Sequence, residues 1–218
     1  MHKHCIYTAL FICTQATAYS VTQPYRPFYY STYVGFQGGA GSTTWQGLVP
    51  AYNNQNGALI VSTPTHVNEG GGVWGFYGGY ELSPYFALEA SYLNYPEATV
   101  FFDKDSLFSF DNNGKTALLT KAETVSIVGK FMLIIPHTYI RAFSNAGLAV
   151  VQRKDEVYNA WTCSPTFGVG FNFNFTERVM GEVAFSYTAG YGESEISPVN
   201  SYIPFLYAVL LKVGYRFA

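Results

Sequence analysis

Hydrophobic and polar residues alternate with a period of two along the last segment of the chain. The odd-numbered positions from Phe205 to Phe217 are all apolar or aromatic, whereas the even-numbered positions include Lys212, Gly214 and Arg216. Successive side chains of a β-strand point to opposite faces. This segment is therefore predicted to be a strand with one apolar face and one face that carries both cations.

The same alternation recurs in seven earlier segments. In each one, aromatic or aliphatic residues occupy one face, and small or polar residues with isolated charges occupy the other. A tilted strand that crosses a membrane needs about ten residues, and these segments have about that length. The eight predicted strands cover residues 33–44, 72–82, 86–94, 124–135, 138–150, 166–175, 179–188 and 205–217.

The connections between the predicted strands alternate in length. Three are tight turns, around Pro84, Pro136 and Glu177. Short turns at one end and long loops at the other are typical of outer-membrane barrels. An even number of strands also brings both termini to the short-turn end, which we expect to face the periplasm. The four predicted long loops cover about residues 45–71, 95–123, 151–165 and 189–204.

The aromatic face is expected to point outward. A soluble barrel such as a lipocalin would also alternate, but with its apolar face inward. Eight strands enclose a lumen just wide enough for side chains, so Phe and Tyr side chains from every strand could not all fit inside. We therefore predict an all-β, eight-stranded antiparallel up-and-down transmembrane β-barrel, closed because lipid offers backbone polar groups no partners. Trp45 and Trp74 are expected in aromatic girdles at the membrane surfaces.

The predicted inward face carries seven charged residues. Counted from the short turns, five are expected at one depth, and Glu81 and Arg216 lie nearer the short-turn mouth. Unpaired charges are costly in a narrow lumen, so we expect ion pairs. They form either a structural plug that sets the strand register or a gated pore, and the narrow lumen favours the plug. The network contains Glu81, Glu89, Lys130, Arg141, Glu182, Lys212 and Arg216.

The composition is consistent with a membrane barrel. Of the 218 residues, 18% are aromatic and 12% are charged, against about 25% charged residues in average globular chains. The formal net charge of −2 gives no indication of a nucleic-acid partner. No run of apolar residues reaches the length of a spanning helix.

The N-terminus has the three-part order of an export signal. A basic start precedes the apolar run CIYTALFIC and the small-x-small pattern Ala16-Thr17-Ala18. This order predicts a signal peptide over residues 1–18 that is cleaved after Ala18. Its removal would take away Lys3, giving a net charge of 11 − 14 = −3, and would leave Cys163 as a single cysteine without an internal disulfide partner.

Three stretches resemble the OmpA-like transmembrane barrel family, which includes small OmpX-type proteins. GGVWGFYGGYELSPYFALEASYLNY at 71–95 is similar to the family's second hairpin, and FYYSTYVGFQGGAG at 28–41 to its first strand. The C-terminal LLKVGYRFA resembles the signal read by the outer-membrane assembly machinery, with Tyr215 and Phe217 as its aromatic positions. That signal usually ends on the aromatic residue, whereas Ala218 follows here.

The resemblance covers essentially all of residues 28–218 and carries several implications. It implies inward Glu–Arg and Lys–Glu pairs, a location in the Gram-negative outer membrane, and contact with lipid and lipopolysaccharide. Periplasmic chaperones and the assembly machinery are the implied partners. The family's peptidoglycan-binding domain has no counterpart here, so no cell-wall anchoring is expected. The pairs would fall on Glu89, Lys130, Arg141, Glu182 and Lys212.

No residue pattern indicates an enzyme. His66 and His137 are expected at opposite ends of the barrel, so they cannot share a Ser-His-Asp or metal site. The stretch 113–116, NGKT, lacks the first glycine and the helix of a phosphate loop. We predict no catalytic residue, cofactor or metal, and we assign Cys163 no role.

The predicted loops contain apolar clusters at 59–61, 100–102 and 107–108. These clusters either form an exposed binding surface or extend the strands above the membrane and pack on one another. We predict a non-enzymatic envelope scaffold that displays surface loops, with adhesion or host interaction through the loops as a hypothesis. The alternative is a small, low-conductance channel with a charge-lined, gated lumen.

Overall fold

The strands of the protein follow one another around a closed wall. The computed structural model describes residues 32–49, 63–191 and 202–217. The predicted signal peptide at 1–18, the apolar cluster at 59–61 and Ala218 lie outside the described residues. In chain order the strands are β1 (Thr32–Thr43), β2 (His66–Asn68), β3 (Gly71–Ser83), β4 (Phe86–Asn94), β5 (Ala98–Phe101), β6 (Ala117–Ile134), β7 (Ile140–Lys154), β8 (Asn159–Asn174), β9 (Val179–Thr188) and β10 (Leu206–Phe217).

Eight of these strands form the barrel, and β2 and β5 are short additions at the long-loop end. Each barrel strand pairs antiparallel with the next barrel strand along the chain, and β6 also pairs with β7. β1 pairs with β10 along its whole length, from Thr32 opposite Phe217 to Thr43 opposite Leu206. Because this seam joins the first strand to the last, the predicted eight-stranded antiparallel barrel is confirmed.

The alternation of side chains is strict along β10. Val209, Leu211 and Val213 are exposed on the outer wall, whereas Leu210 and Lys212 between them are buried in the lumen. The same parity places the aromatic residues of the other strands outside, where lipid accommodates them. Among the described residues, no helix has the length and apolar character needed to cross a bilayer.

Three strands run further toward the long-loop end than predicted. β6 already begins at Ala117, and β7 pairs with β8 as far as Lys154 opposite Asn159. Of the predicted third loop, 151–165, only residues 155–158 lie outside strands. The alternation of apolar and polar residues placed these strand ends too early because the outer face turns polar beyond the membrane, at Gln152 for example. Val151 nevertheless remains buried on the inner face.

Two short helical turns lie in the loops that follow β1 and β5. A 3₁₀-helix spans Trp45–Leu48, and Glu69 accepts hydrogen bonds from the backbone N–H groups of Trp45 and Gln46 at 2.9 and 3.1 Å. The helix α1 spans Leu107–Asp111 and is capped by the Ser106 hydroxyl, which accepts from the N–H of Ser109 at 3.1 Å. Both turns therefore have fixed ends.

The β1–β10 seam tolerates no added side chain at Gly39. A Cβ there would overlap the carbonyl oxygen of Val209 and lie 3.1 Å from the Cα of Leu210. We expect Gly39→Ala to lower the free energy of unfolding by ~1–3 kcal/mol, the usual cost of overpacking. The measurement is urea unfolding of the protein in lipid vesicles.

The matched control is Gly72→Ala, because a Cβ at Gly72 meets nothing within 4 Å. Equal stability of the two variants would contradict this expectation, because it would show that the β1–β10 seam accommodates a Cβ at Gly39 without a cost in stability.

Candidate functional site

All seven of the predicted lumen charges are buried inside the barrel, and none is more than 5% exposed. They form two groups. We name Glu89, Glu182, Lys130 and Lys212 the lysine quartet, and Glu81, Arg141 and Arg216 the arginine triad. The quartet combines two cations with two carboxylates, and the triad combines two cations with one carboxylate.

In the lysine quartet each carboxylate contacts both ammonium groups. The Lys130 Nζ lies 3.2 Å from Glu89 Oε2 and 2.5 Å from Glu182 Oε1. The Lys212 Nζ lies 2.6 Å from Glu89 Oε1 and 3.7 Å from Glu182 Oε2. The quartet is therefore a closed ring of alternating charge.

In the arginine triad both guanidinium groups meet one carboxylate oxygen. Arg141 Nη2 lies 2.7 Å and Arg216 Nη2 lies 2.9 Å from Glu81 Oε1. Asn174 accepts a further hydrogen bond from Arg216 Nη1 at 2.8 Å. The triad carries a formal net charge of +1, whereas the quartet is neutral.

Asn172 joins the two groups. Its Oδ1 accepts from Arg141 at 3.1 and 3.3 Å, and its Nδ2 donates to Glu182 Oε1 at 2.8 Å. Neighbouring strands hold these residues in one row, because Asn172 on β8 lies opposite both Arg141 on β7 and Glu182 on β9. An amide suits this position because it accepts on one side and donates on the other.

Three aromatic rings complete the surroundings of the quartet. The Tyr33 hydroxyl donates to Glu89 Oε2 at 3.0 Å. The Lys130 ammonium lies 4.1 Å from the centre of the Phe143 ring, and the Lys212 ammonium lies 4.6 Å from that of Tyr77. Cation–π contacts of this kind strengthen when they are shielded from water.

Asn172 and these aromatic rings were not among the predicted site residues. The parity of β1, β3 and β8 places Tyr33, Tyr77 and Asn172 on the inward face, so alternation alone could have identified them as lumen residues. Arg141, in contrast, was expected at the depth of the quartet, whereas its guanidinium lies with Glu81 and Arg216. A long side chain reaches away from the level of its own Cα, so counting residues from the turn does not determine its partner.

Ion pairs of both groups cross the lumen and join strands that share no hydrogen bonds. Lys130 on β6 pairs with Glu182 on β9, and Lys212 on β10 pairs with Glu89 on β4. Arg141 on β7 pairs with Glu81 on β3. Between them, these three contacts connect six of the eight barrel strands, so the network braces the wall from inside.

The lumen beyond the quartet, toward the long-loop end, holds apolar side chains together with buried serine and threonine side chains of β6, β8 and β9. Leu206 and Leu210 from β10 pack there with Val73, Leu93 and Val151. Each of these residues is at most 5% exposed. Within the described residues, the ionic layer is therefore followed by an apolar cluster that packs beside small polar groups, and we call this cluster the apolar layer.

A third layer closes the long-loop end. The Arg153 guanidinium lies 4.7 Å from the Trp45 ring and 5.1 Å from the Tyr158 ring. It donates to Asp155 Oδ2 and to the Tyr202 carbonyl oxygen, both at 2.6 Å. We call these five residues the lid. Trp45 was expected in a membrane girdle, but it is buried here, because the 3₁₀-helix turns its ring over the mouth of the barrel.

The predicted apolar loop clusters divide between packing and exposure. Val100, Phe102 and Phe108 are buried in a cluster next to the lid that also contains Leu118 and Val67. In the same segments Phe101 and Leu107 are exposed. In β5 the packed and open side chains alternate along the strand, and in α1 Phe108 packs into the cluster while Leu107 is exposed.

The remaining predicted positions are exposed outside the lumen. The His66 ring stacks on the Phe101 ring with centroids 5.7 Å apart, and His137 lies in the turn between β6 and β7. Cys163 is exposed on the outer wall. No group of three or more His, Cys, Asp or Glu side chains in the described part of the chain is arranged to hold a metal ion.

The aromatic positions of the predicted assembly signal face outward at the end of β10. Tyr215 and Phe217 are both exposed, and their ring centroids lie 5.2 Å apart. Arg178 Nη1 donates to the Tyr215 hydroxyl at 3.3 Å. Both rings therefore lie on the wall that contacts lipid, close to the short-turn end.

A closed antiparallel barrel with an aromatic and apolar outer wall and charged residues inside is typical of outer-membrane β-barrel proteins, and eight strands is the small end of that class. The chain belongs to the OmpA-like transmembrane domain family, whose model matches residues 31–218. It is therefore a protein of the Gram-negative outer membrane that contacts lipid. The family and the fold are those of non-enzymatic outer-membrane barrels.

Solved barrels share the fold at low sequence identity. The N-terminal β-barrel domain of Pseudomonas aeruginosa OprF is 14% identical, with a TM-score of 0.51, and the match covers 88% of this chain and 100% of that one. OprG from Pseudomonas aeruginosa is 12% identical, with a TM-score of 0.52 and coverages of 87% and 97%. Neisserial surface protein A is 11% identical, with a TM-score of 0.52 and coverages of 85% and 97%. At these identities the likeness shows the fold alone.

One curated relative matches by sequence. An uncharacterised protein of Coxiella burnetii is 28% identical over 167 residues, which cover 64% of this chain and 65% of the relative. The match therefore spans just under two thirds of either protein.

The quartet predicts a large cost for removing one of its charges. In Glu182→Gln the two ammonium groups would share one carboxylate, and we expect the free energy of unfolding to fall by about 3–5 kcal/mol. Adding Lys130→Gln restores neutrality, so the double variant should recover part of that loss. Urea unfolding in lipid vesicles measures both.

The control for the quartet is Lys115→Gln, which breaks the exposed pair of Lys115 with Glu156. Exposed ion pairs contribute about 1 kcal/mol or less. If Glu182→Gln costs no more than Lys115→Gln, the quartet does not brace the barrel.

Proposed function

We propose that this protein is a non-enzymatic scaffold of the outer membrane that anchors a folded surface platform, which in the described residues consists of the 3₁₀-helix, β2, β5 and α1. The observation that carries the proposal is the filled lumen, in which the ionic layer, the apolar layer and the lid follow one another along the axis. An open transport path would leave inward side chains accessible to water, whereas those of the ionic layer and the apolar layer are buried. The seven lumen charges act in this proposal as a plug and a brace.

The proposed orientation places the short-turn end and both termini in the periplasm and the long loops outside. Short turns inside and long loops outside are the usual arrangement in bacterial barrels. Periplasmic chaperones and the outer-membrane assembly machinery are the proposed partners during insertion. Tyr215 and Phe217, exposed at the end of β10, are the residues that we propose the machinery recognises.

The second candidate function is a small, gated channel. The buried charges of the lumen favour it, because an ionic ring could rearrange to admit ions. The apolar layer opposes it, because Leu206, Leu210 and Leu93 would also have to move aside.

Conductance in a planar bilayer distinguishes the two functions. We expect no conductance from the refolded wild-type protein, and none from Lys130→Ala, because the apolar layer and the lid remain in place. Arg141→Ala should be silent for the same reason. Steady conductance in the wild type, altered in size or selectivity by either substitution, would instead establish the channel.

The surface platform includes exposed apolar side chains that suit contact with another surface. Phe110 in α1 is 85% exposed and Leu107 is 54% exposed. Both project from a helical turn whose other side, at Phe108, packs into the loop cluster. We propose that this turn is the adhesive element of the platform.

A double variant tests the adhesive role. Leu107→Ser with Phe110→Ser removes the exposed apolar surface and leaves Phe108 in place. We expect cells that display this variant to bind abiotic or host surfaces at least several-fold less than cells that display the wild type at equal surface density. Leu82→Ser is the control, because Leu82 is exposed at the short-turn end of β3. Equal adhesion of all three strains would count against the adhesive role and leave the scaffold role standing.

A further inference from the structure

The charged residues of the barrel strands are distributed unevenly between the two faces. Eleven Asp, Glu, Lys or Arg residues lie in the eight strands, and eight of them face inward. The three that face outward are Lys121 and Glu123 on β6 and Lys154 on β7. They are close neighbours, so the outer wall of the described barrel carries its strand charges in a single patch.

The patch lies where the outer wall changes from apolar to polar. Val125 on β6 lies opposite Val150 on β7, and both are exposed. One step toward the long-loop end, Glu123 lies opposite Gln152, which in turn lies opposite the exposed Trp161 on β8. One further step brings Lys121 opposite Lys154.

This order of apolar, polar–aromatic and cationic rows is the order of chemistry across a lipid–water interface.

The two lysines have only one carboxylate nearby among the described residues, and that carboxylate has other hydrogen-bond partners as well. Lys121 Nζ lies 3.4 Å from Glu123 Oε1. Glu123 also accepts from the Tyr92 hydroxyl at 2.9 Å and from Asn94 Nδ2 at 3.4 Å. Within the described residues, no carboxylate lies within ion-pairing distance of Lys154. The patch has a formal net charge of +1.

Like charges directly opposite one another destabilise a strand pair. The Lys121–Lys154 pair therefore disfavours its own register by a small amount, and an anion held between the two ammonium groups would reverse that effect. Gln152 and Asn159, which lie beside Lys154 and hydrogen-bond to each other at 3.4 Å, add amide groups at the edge of the same site.

We propose that Lys121 and Lys154 bind the phosphate group of a lipid in the surrounding leaflet, from the outer side of the barrel. The occupant is a lipid because the site continues the wall that contacts lipid. Acyl chains would lie along Val125, Val150 and Leu148 while the headgroup phosphate meets the lysines. Under the proposed orientation, this leaflet is the outer one and the ligand is the phosphorylated glycolipid lipid A. The inference rests on that orientation and not on whether the lumen conducts.

The test measures lipid bound to the folded protein in detergent micelles by native mass spectrometry. The probes are lipid A with both phosphates and lipid A with its phosphates removed. We expect the wild type to prefer the phosphorylated form by about tenfold in Kd, which corresponds to ~1.4 kcal/mol, and this preference should weaken as NaCl is raised.

K121A/K154A should lose the preference and bind both forms alike. The matched control is K104A/K115A, which makes the same change of charge on exposed residues of the loop between β5 and β6 and should keep the wild-type preference. Resistance of the barrel to protease shows that each variant is folded.

Three results would overturn the proposal. They are an unchanged preference in K121A/K154A, a wild type that does not distinguish the two forms of lipid A, and displacement of the lipid by millimolar inorganic phosphate. The last result would assign the patch to a free anion. None of these outcomes bears on conductance, so failure here is distinct from failure of the scaffold function.

Discussion

The need to satisfy every backbone hydrogen bond without water is the constraint on which this structure depends. In lipid, an unpaired strand edge costs several kcal/mol for each polar group, so β1 must meet β10 along its whole length. Once eight strands are closed, the width of the lumen is set, and it accommodates side chains but little else. The small residues at the seam, such as Gly39, and the filled interior are both consequences of that closure.

The protein fills this narrow lumen with charges toward the short-turn end and with an apolar cluster and small polar side chains toward the long loops. The ion pairs cost desolvation energy, so burial of charge alone does not explain them. Their geometry offers a reason, because Lys130, Lys212 and Arg141 each reach a carboxylate on a strand that is not a neighbour. Hydrogen bonds of the sheet hold only adjacent strands. The ionic network adds contacts across the barrel, and a strand that slipped by one residue would turn its charge out into lipid.

The period of two was sufficient to predict the strands, the fold and the inward position of all seven lumen charges, because each depends on local parity. The ion-pair partners of those charges could not be predicted from parity alone. Arg141 joins Glu81 across the lumen, and that pairing depends on barrel tilt and on side-chain length. The lid could not be predicted from the sequence either. The sequence predicts Trp45 in a membrane girdle. The 3₁₀-helix instead directs its ring inward over Arg153, and Glu69, which is distant in the chain, caps that helix. The sequence pattern predicts a loop for the outer ends of β7 and β8, because the outer face leaves the membrane before the strands end.

The same reasoning applies to the charges on the outer wall. The interior can accommodate a charge by pairing it, and eight of the eleven strand charges are placed there. An outward charge in the apolar band would have no partner, so such residues are tolerated only where the band ends. Glu123 meets that condition, and it pairs with Lys121 and accepts hydrogen bonds from Tyr92 and Asn94. Lys154 also lies where the apolar band ends, but no carboxylate among the described residues is within ion-pairing distance of it. Long cationic side chains can reach the headgroup region from such positions. A lipid phosphate is an anion that the surrounding membrane supplies, and in our proposal it completes the site from outside the protein.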